Sequence, residues 1–138
     1  VSDAQQTFSR ILEFFPREEH AFVRSSLANS LRAIMCQKLI PGVEEGTQYP
    51  ITEVLLRNST VRDKIIHEED DDIPAIIAQC ESEGMRSFTM SLCELIEKDI
   101  VHYDTAMEYA TSREALASAV KGIKASAQTL VGRTRAAR

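Results

Sequence analysis

Apolar positions along this chain recur at helical spacing, with one interruption where the pattern turns strand-like. Phe8, Ile11, Leu12 and Phe15 follow one another at three- and four-residue intervals, the mark of a helix with one buried face. Asp3 stands where a cap belongs, because its carboxylate can accept from an amide the helix leaves orphaned. Pro16 predicts the end of this helix, since it drives Phe15 out of helical angles. A second, longer helix is predicted over roughly residues 18–37. Val23, Leu27, Leu31, Ile34 and Met35 form its stripe, with Ala21 and Ala28 beside it. Arg24, Asn29 and Arg32 fall mostly off that stripe.

The pattern changes at Lys38. Pro41, Gly42 and Gly46 mark turns, and their flanks are rich in Ile, Val, Leu and Tyr, as strands are. A short antiparallel hairpin is predicted over about residues 38–56, with Pro41 and Pro50 at edges or strand ends. Helical spacing then returns. Ser59 or Thr60 can cap a short helix whose inner face is Val61, Ile65 and Ile66, with Arg62, Asp63 and Lys64 on its polar side. One of Asp70 to Asp72 caps the next, over about residues 73–82, with Pro74 in its first turn and Ile73, Ile76, Ile77 and Cys80 inward. Gly84 suits the position after a helix end.

Ser87 opens a helix to about residue 98, burying Met90 or Phe88 with Leu92, Leu95 and Ile96. A short helix over residues 104–110 is anchored by Met107. Thr111 and Glu114 form a capping-box pair, and the last helix runs to about residue 123 with Leu116, Val120 and Ile123 inward. The predicted fold class is mainly α: a multi-helix bundle over residues 1–123 carrying one short hairpin, then a basic, flexible tail over residues 124–138.

At 138 residues the chain is one domain by length, or a piece of one. No apolar run approaches the ~18–20 residues of a membrane span, and no basic-then-apolar signal segment opens the chain. Cys36, Cys80 and Cys93 are an odd count without CxxC spacing, which reads as reduced thiols in a cytosolic protein. A net charge of −5 argues against general nucleic-acid affinity, which phosphate neutralisation dominates. The charge is uneven, however. After Glu114 there is no acid, while Lys121, Lys124, Arg133, Arg135 and Arg138 follow. Such a stretch can touch nucleic acid or a membrane surface, although its Ser, Thr, Ala and Gly content reads first as a solvated chain end.

Catalytic patterns are missing from the sequence. No glycine is followed by the Lys-Ser or Lys-Thr of a phosphate-cradling loop. His20, His67 and His102 have no His partner four residues away and no neighbouring Cys, so zinc-ligand spacing is lacking. The acid run Glu68 to Asp72 lacks the spaced ligands and central glycine of a calcium loop. It reads as a solvated turn whose charge favours the positive start of the next helix, or as a docking surface for basic residues. Arg62 has two readings. One is a surface arginine paired with Asp63 or Glu69, worth at most ~1 kcal/mol. The other is an interface arginine, chosen for planar contacts with carboxylates.

Several motifs in order resemble one family. Arg10-Ile11-Leu12-Glu13-Phe14-Phe15-Pro16, Val23-Arg24-Ser25-Ser26-Leu27-Ala28-Asn29-Ser30-Leu31 and Cys36-Gln37-Lys38-Leu39-Ile40-Pro41 are similar to segments in the C-terminal part of PilT/PilU-type twitching-motility motors. These belong to the type II/type IV secretion ATPase superfamily. Glu53-Val54-Leu55 matches a strand of that family. Thr60 to His67 lies on its A-I-R-N-L-I-R-E motif, and Gly84-Met85-Arg86-Ser87-Phe88 resembles its G-M-[QR]-[ST]-[MF] turn. The resemblance spans about residues 4–120. It implies that the chain is the helical C-terminal domain of a hexameric motor, starting just after the family's histidine box, with the nucleotide-binding domain upstream.

By that resemblance the domain packs on neighbouring subunits and helps couple nucleotide state to movement of a ring. The ring depolymerises a type IV pilus at the cytoplasmic face of the inner membrane, working with the pilus machinery there. ATP and Mg belong to the parent protein. No cofactor, metal or catalytic residue is implied for this chain, which is expected to be inactive alone, and no nucleic-acid partner is implied. The functional motif carries over to Val61, Arg62, Asp63, Ile65 and Ile66, with Arg24, Glu53, Gly84 and Met85 as further interface candidates. Lys64, Ile66 and His67 depart from the motif, where the family has Leu, Arg and Glu. A diverged accessory motor fits those changes. Two other readings stay open: a stand-alone adaptor docking through its acid run or basic end, and the C-terminal part of an export-type secretion ATPase.

Overall fold

A computed structural model describes residues 2–136, with side chains followed through Ser126 and again at Gln128. The described residues form seven α-helices and one two-stranded antiparallel sheet, the mainly α class with a short hairpin that the spacing predicts. The chain divides into two compact units, one of Val1–Lys38 with Pro50–Ser87, the other of Leu39–Tyr49 with Phe88–Arg138.

The first unit opens with helix α1 (Ala4–Leu12). Asp3 caps it as expected, its carboxylate accepting from the Gln6 amide at 2.9 Å. Phe8 and Leu12 are buried, but the helix stops three residues short of Phe15, which with Phe14 turns to solvent. Helix α2 (His20–Ser30) follows a 3₁₀ turn at Arg17–Glu19. The single long helix expected to residue 37 is not formed: Leu31 leaves helical angles, and strand β1 (Ala33–Pro41) begins. The reason is a change of period. Ile34 and Ile40 are buried while Met35 and Leu39, one place away, are exposed, an alternation only a strand accommodates.

Strand β2 (Gln48–Leu56) completes the hairpin and turns Ile51, Glu53 and Leu55 inward. Helix α3 (Ser59–Ile66) is capped by Asn58, one position before the expected Ser59 or Thr60, with its side chain accepting from Val61 N at 2.8 Å. A 3₁₀ turn at Asp70–Asp72 leads into α4 (Ile73–Gln79), which carries Pro74 in its first turn but no side-chain cap from Asp72. That helix ends before the expected Ser82, and a 3₁₀ turn at Glu81–Glu83 intervenes. Gly84 closes the turn at φ +96°, the left-handed region where a side chain is strained. The core of this unit joins Phe8, Ala28, Ile34, Leu55, Val61, Ile65, Ile73, Ile77 and Met85. Each large apolar member contributes about 1.5–3 kcal/mol through burial.

In the second unit, helix α5 (Phe88–Glu97) buries Phe88, Leu92 and Cys93. Asp99, at φ +56°, ends the turn after it, and Val43 of the hairpin loop donates its amide to the Ile100 carbonyl at 2.9 Å. Helix α6 (Tyr103–Tyr109) is anchored by Ala106, not the expected Met107, because the smaller residue faces inward. Helix α7 (Arg113–Ala136) is capped by Ser112, whose hydroxyl accepts from Ala115 N at 3.2 Å, in place of Thr111. Leu116 and Val120 pack inward as expected. The helix runs thirteen residues past its expected end at Ile123 and takes in the stretch read as a tail up to Ala136. Arg138 lies outside the described residues.

Candidate functional site

The sequence-predicted motif residues lie on α3, and the helix divides them by face. Val61 and Ile65 are fully buried in the core of the first unit and Ile66 is half-buried. Arg62 and Asp63 come to the outer edge. Arg62 Nε donates to Asn29 Oδ1 of α2 at 3.1 Å, and its Nη1 reaches Asp63 Oδ1 at 3.3 Å. The arginine side chain is 44% exposed and the aspartate 62%. The guanidinium is therefore aimed by a neighbouring helix yet keeps solvent access, as a side chain must if it is to meet another surface.

The acid run after α3 is largely the solvated turn its composition suggests, with Glu68, Glu69, Asp71 and Asp72 exposed, but Asp70 turns inward. Asp70 accepts two hydrogen bonds from Arg24, Nη1 to Oδ1 at 2.9 Å and Nη2 to Oδ2 at 2.7 Å. This is the planar, two-pronged geometry that favours arginine. Both side chains are sheltered, at 8% and 15% exposure. Arg24 Nη1 also donates to the Ile65 carbonyl at 3.1 Å, near the end of α3, and Glu68 lies 4.0 Å from its Nε. The hydrogen bond to Asp70, outweighing the opposing effect of burial, holds the Arg24 guanidinium above its ordinary pKa.

Lys64 gathers the rest of the run, pairing with Asp72 at 2.8 Å and with Glu69. Hydrogen bonds to Asp72 and then Glu69 raise its ammonium above the usual lysine value. Asp71 accepts from Gln5 of α1 at 2.7 Å. Glu68 takes φ +60° to let the chain turn so tightly. The run thus ties α1, α2 and α3 together at the base of the motif helix.

Of the other candidates Arg24, Glu53 and Met85 are buried, whereas Gly84 is exposed. Arg24 is committed to this clamp. Glu53 is buried and accepts from Ala4 N at 2.9 Å, and Met85 is 2% exposed. A Cβ at Gly84 would meet Leu56 Cδ1 at 3.3 Å. Of the predicted residues, Arg62 and Asp63 alone combine exposure with a defined geometry. Sequence reasoning missed Asp70 and Asn29. The signal for Asp70 was Arg24, four residues before the buried Ala28 and so on its face of the helix. Phe14, Phe15 and Phe22 add exposed aromatic surface to this unit, at 84%, 40% and 75%. Among the described residues no group of three His, Cys, Asp or Glu is placed to hold a metal ion.

No family model matches the chain. It is 28% identical over 121 residues to the type IV pilus ATPase PilU of Pseudomonas aeruginosa, covering 88% of this chain and 32% of that protein. With the pilus retraction ATPase PilT of the same organism the identity is 29% over 110 residues, 80% of this chain and 32% of the relative. A crystal structure of the pilus retraction motor PilT with bound ADP shares the fold, with a TM-score of 0.73 at 22% identity over 86% of this chain and 32% of that one. The chain spans about a third of the length of the relatives it matches.

Proposed function

We infer that this chain, a PilT/PilU-type member of the secretion ATPase superfamily, is the C-terminal, subunit-contacting and motion-transmitting part of a homo-hexameric ATPase that powers type IV pilus retraction. In this reading residues 1–123 are the domain proper. ATP and Mg are bound by a nucleotide-binding domain upstream in the same polypeptide, and the assembled ring acts on the pilus machinery at the cytoplasmic face of the inner membrane.

The observation that carries the reading is the division of labour on α3. Val61 and Ile65 fix the helix in a core, the Arg24–Asp70 clamp fixes its far end, and Arg62 and Asp63 face out from the rigid support. A helix held along its inner face and at its far end moves with its unit, so force on Arg62 passes into the whole unit instead of bending one element. The exposed Phe14, Phe15 and Phe22 supply apolar surface of the kind subunit contacts bury. The adaptor reading loses Asp70 from its acid surface, since Arg24 holds that carboxylate, while Glu69 and Asp72 pair with Lys64 and stay exposed.

The test is Arg62→Ala in the full-length parent. The variant is expected to fold normally, since an exposed pair contributes at most ~1 kcal/mol, and to lose ring assembly or pilus retraction. Normal hexamers with normal retraction would remove Arg62 from the mechanism. The coding sequence upstream of Val1 separates motor from adaptor, a phosphate-cradling loop there deciding for the motor.

A further inference from the structure

Helix α7 leaves its packed segment after Val120. Leu116 and Val120 are buried, whereas Lys121, Gly122, Lys124, Ala125, Ser126 and Gln128 are exposed, and Ile123 is half-buried. A Cβ added at Gly122 would meet nothing within 4 Å. The backbone nevertheless stays helical to Ala136, so 24 residues give a rod about 36 Å long. Residues 121–138 hold five of the chain's sixteen Lys and Arg residues and none of its twenty-one Asp and Glu residues. The preceding 120 residues therefore set eleven cations against twenty-one acids, a net −10, and the last eighteen carry +5.

By sequence, Ile123, Ala127, Leu130 and Val131 recur at helical spacing, with Lys121, Lys124 and Arg135 on one flank and Arg133 on the other. No helix among the described residues is long and apolar enough to cross a membrane.

We propose that the distal half of α7 docks on an anionic lipid bilayer, lying in the interface with its apolar stripe toward the acyl chains and its lysines and arginines on the headgroups. This goes beyond the motor reading and holds or fails without it. Three features favour lipid over other anions. The stripe between the cations gives an apolar face that a headgroup layer can accept. That stripe contains no aromatic residue on which bases would stack. The net −10 of the remaining chain opposes any anion that surrounds the molecule, but not a flat surface met by one basic helix end. With three modest aliphatics on the stripe, attraction to charge dominates, so binding must fall steeply with salt.

The test is co-sedimentation of the 138-residue chain with vesicles of phosphatidylethanolamine and phosphatidylglycerol, beside vesicles of phosphatidylcholine. Binding is expected to the first at low salt and not to the second. It should weaken roughly thirtyfold when Lys121→Gln and Lys124→Gln are combined, given the pull of each cation near an anionic surface. Lys121→Arg with Lys124→Arg should restore it. Leu130→Ser with Val131→Ser should weaken binding while leaving its salt dependence in place. Because Lys121 and Lys124 are exposed, circular dichroism and the thermal midpoint should be unchanged in the lysine variants, and both are measured for Leu130→Ser with Val131→Ser, so that a loss of binding without a loss of helix is what counts. Equal binding to both vesicles overturns the proposal. So does binding to a duplex oligonucleotide without binding to vesicles. Salt-sensitive self-association without vesicle binding also overturns it, and would assign the helix to the acid turn of a second copy.

Discussion

At the scale of single residues, the decisive feature is the sheltered pair of Arg24 and Asp70. Two charges taken out of water are tolerable because they meet in bidentate geometry. Removing one partner strands the other. Asp70→Ala is expected to destabilise the chain by about 3 kcal/mol, the low end for a buried pair because Asp70 keeps 15% exposure. Arg24→Met should do less harm, since it removes the costlier charge and fills the space with an apolar stem. Urea unfolding measures both, and a loss below about 1 kcal/mol for Asp70→Ala would place the pair with ordinary surface pairs.

The thiols make a second prediction at this scale. Burial pushes the Cys36 and Cys93 thiols up, and a hydrogen bond with Glu83 does the same for Cys80. Folding therefore disfavours the reactive thiolate at all three. Iodoacetamide at neutral pH should label the folded chain more slowly than the urea-unfolded one. The sign of the linkage follows: the stabilising contribution is full below the ordinary thiol pKa of 9.0 and fades above it, as the unfolded thiols ionise first. Equal labelling rates would remove the effect. The partner of Arg24 was not legible in sequence. Its position mostly off one apolar stripe gave no sign of burial, but a charged side chain finds the interior when a carboxylate distant in sequence comes to meet it.

At the scale of elements, local chemistry was legible where one residue type suits one backbone state. Asp3 as a cap, the hairpin turn, Pro74 inside a first turn and Gly84 in the left-handed region all follow from their own side chains. Boundaries were legible only where the period was unambiguous. Residues 31–37 carry apolar groups that satisfy both a helical stripe and a strand, and pairing with β2 decided the matter. At α3 the cap shifted by one place because Asn58 offers a carbonyl oxygen with the same reach as a hydroxyl. Asn58→Ala should accordingly cost about 1 kcal/mol, while Ser59→Ala should stay within a few tenths. Denaturation midpoints of the two variants decide between the caps, and a larger loss for Ser59→Ala would reverse the assignment.

At the scale of the whole molecule, the order of motifs carried more than any one of them. Helical period alone yields a bundle of unknown purpose. The succession from Arg10 to Phe88 aligns the chain with secretion ATPases, and the shared fold agrees with it. What sequence could not supply was the relation between segments far apart in it: that the acid run would close on α2 and that α7 would continue as a helix. Those depend on tertiary meeting, not on spacing. The sequence also lacks a glycine-rich loop ending in Gly-Lys-Ser or Gly-Lys-Thr, the pattern that cradles nucleotide phosphates. The purified 138-residue chain is therefore expected to release no phosphate from ATP with Mg above the buffer rate, whether Arg62 is present or replaced by Ala. Turnover by the isolated chain would mean that it carries a hydrolytic site of its own, and the role of a transmitting domain would have to be given up.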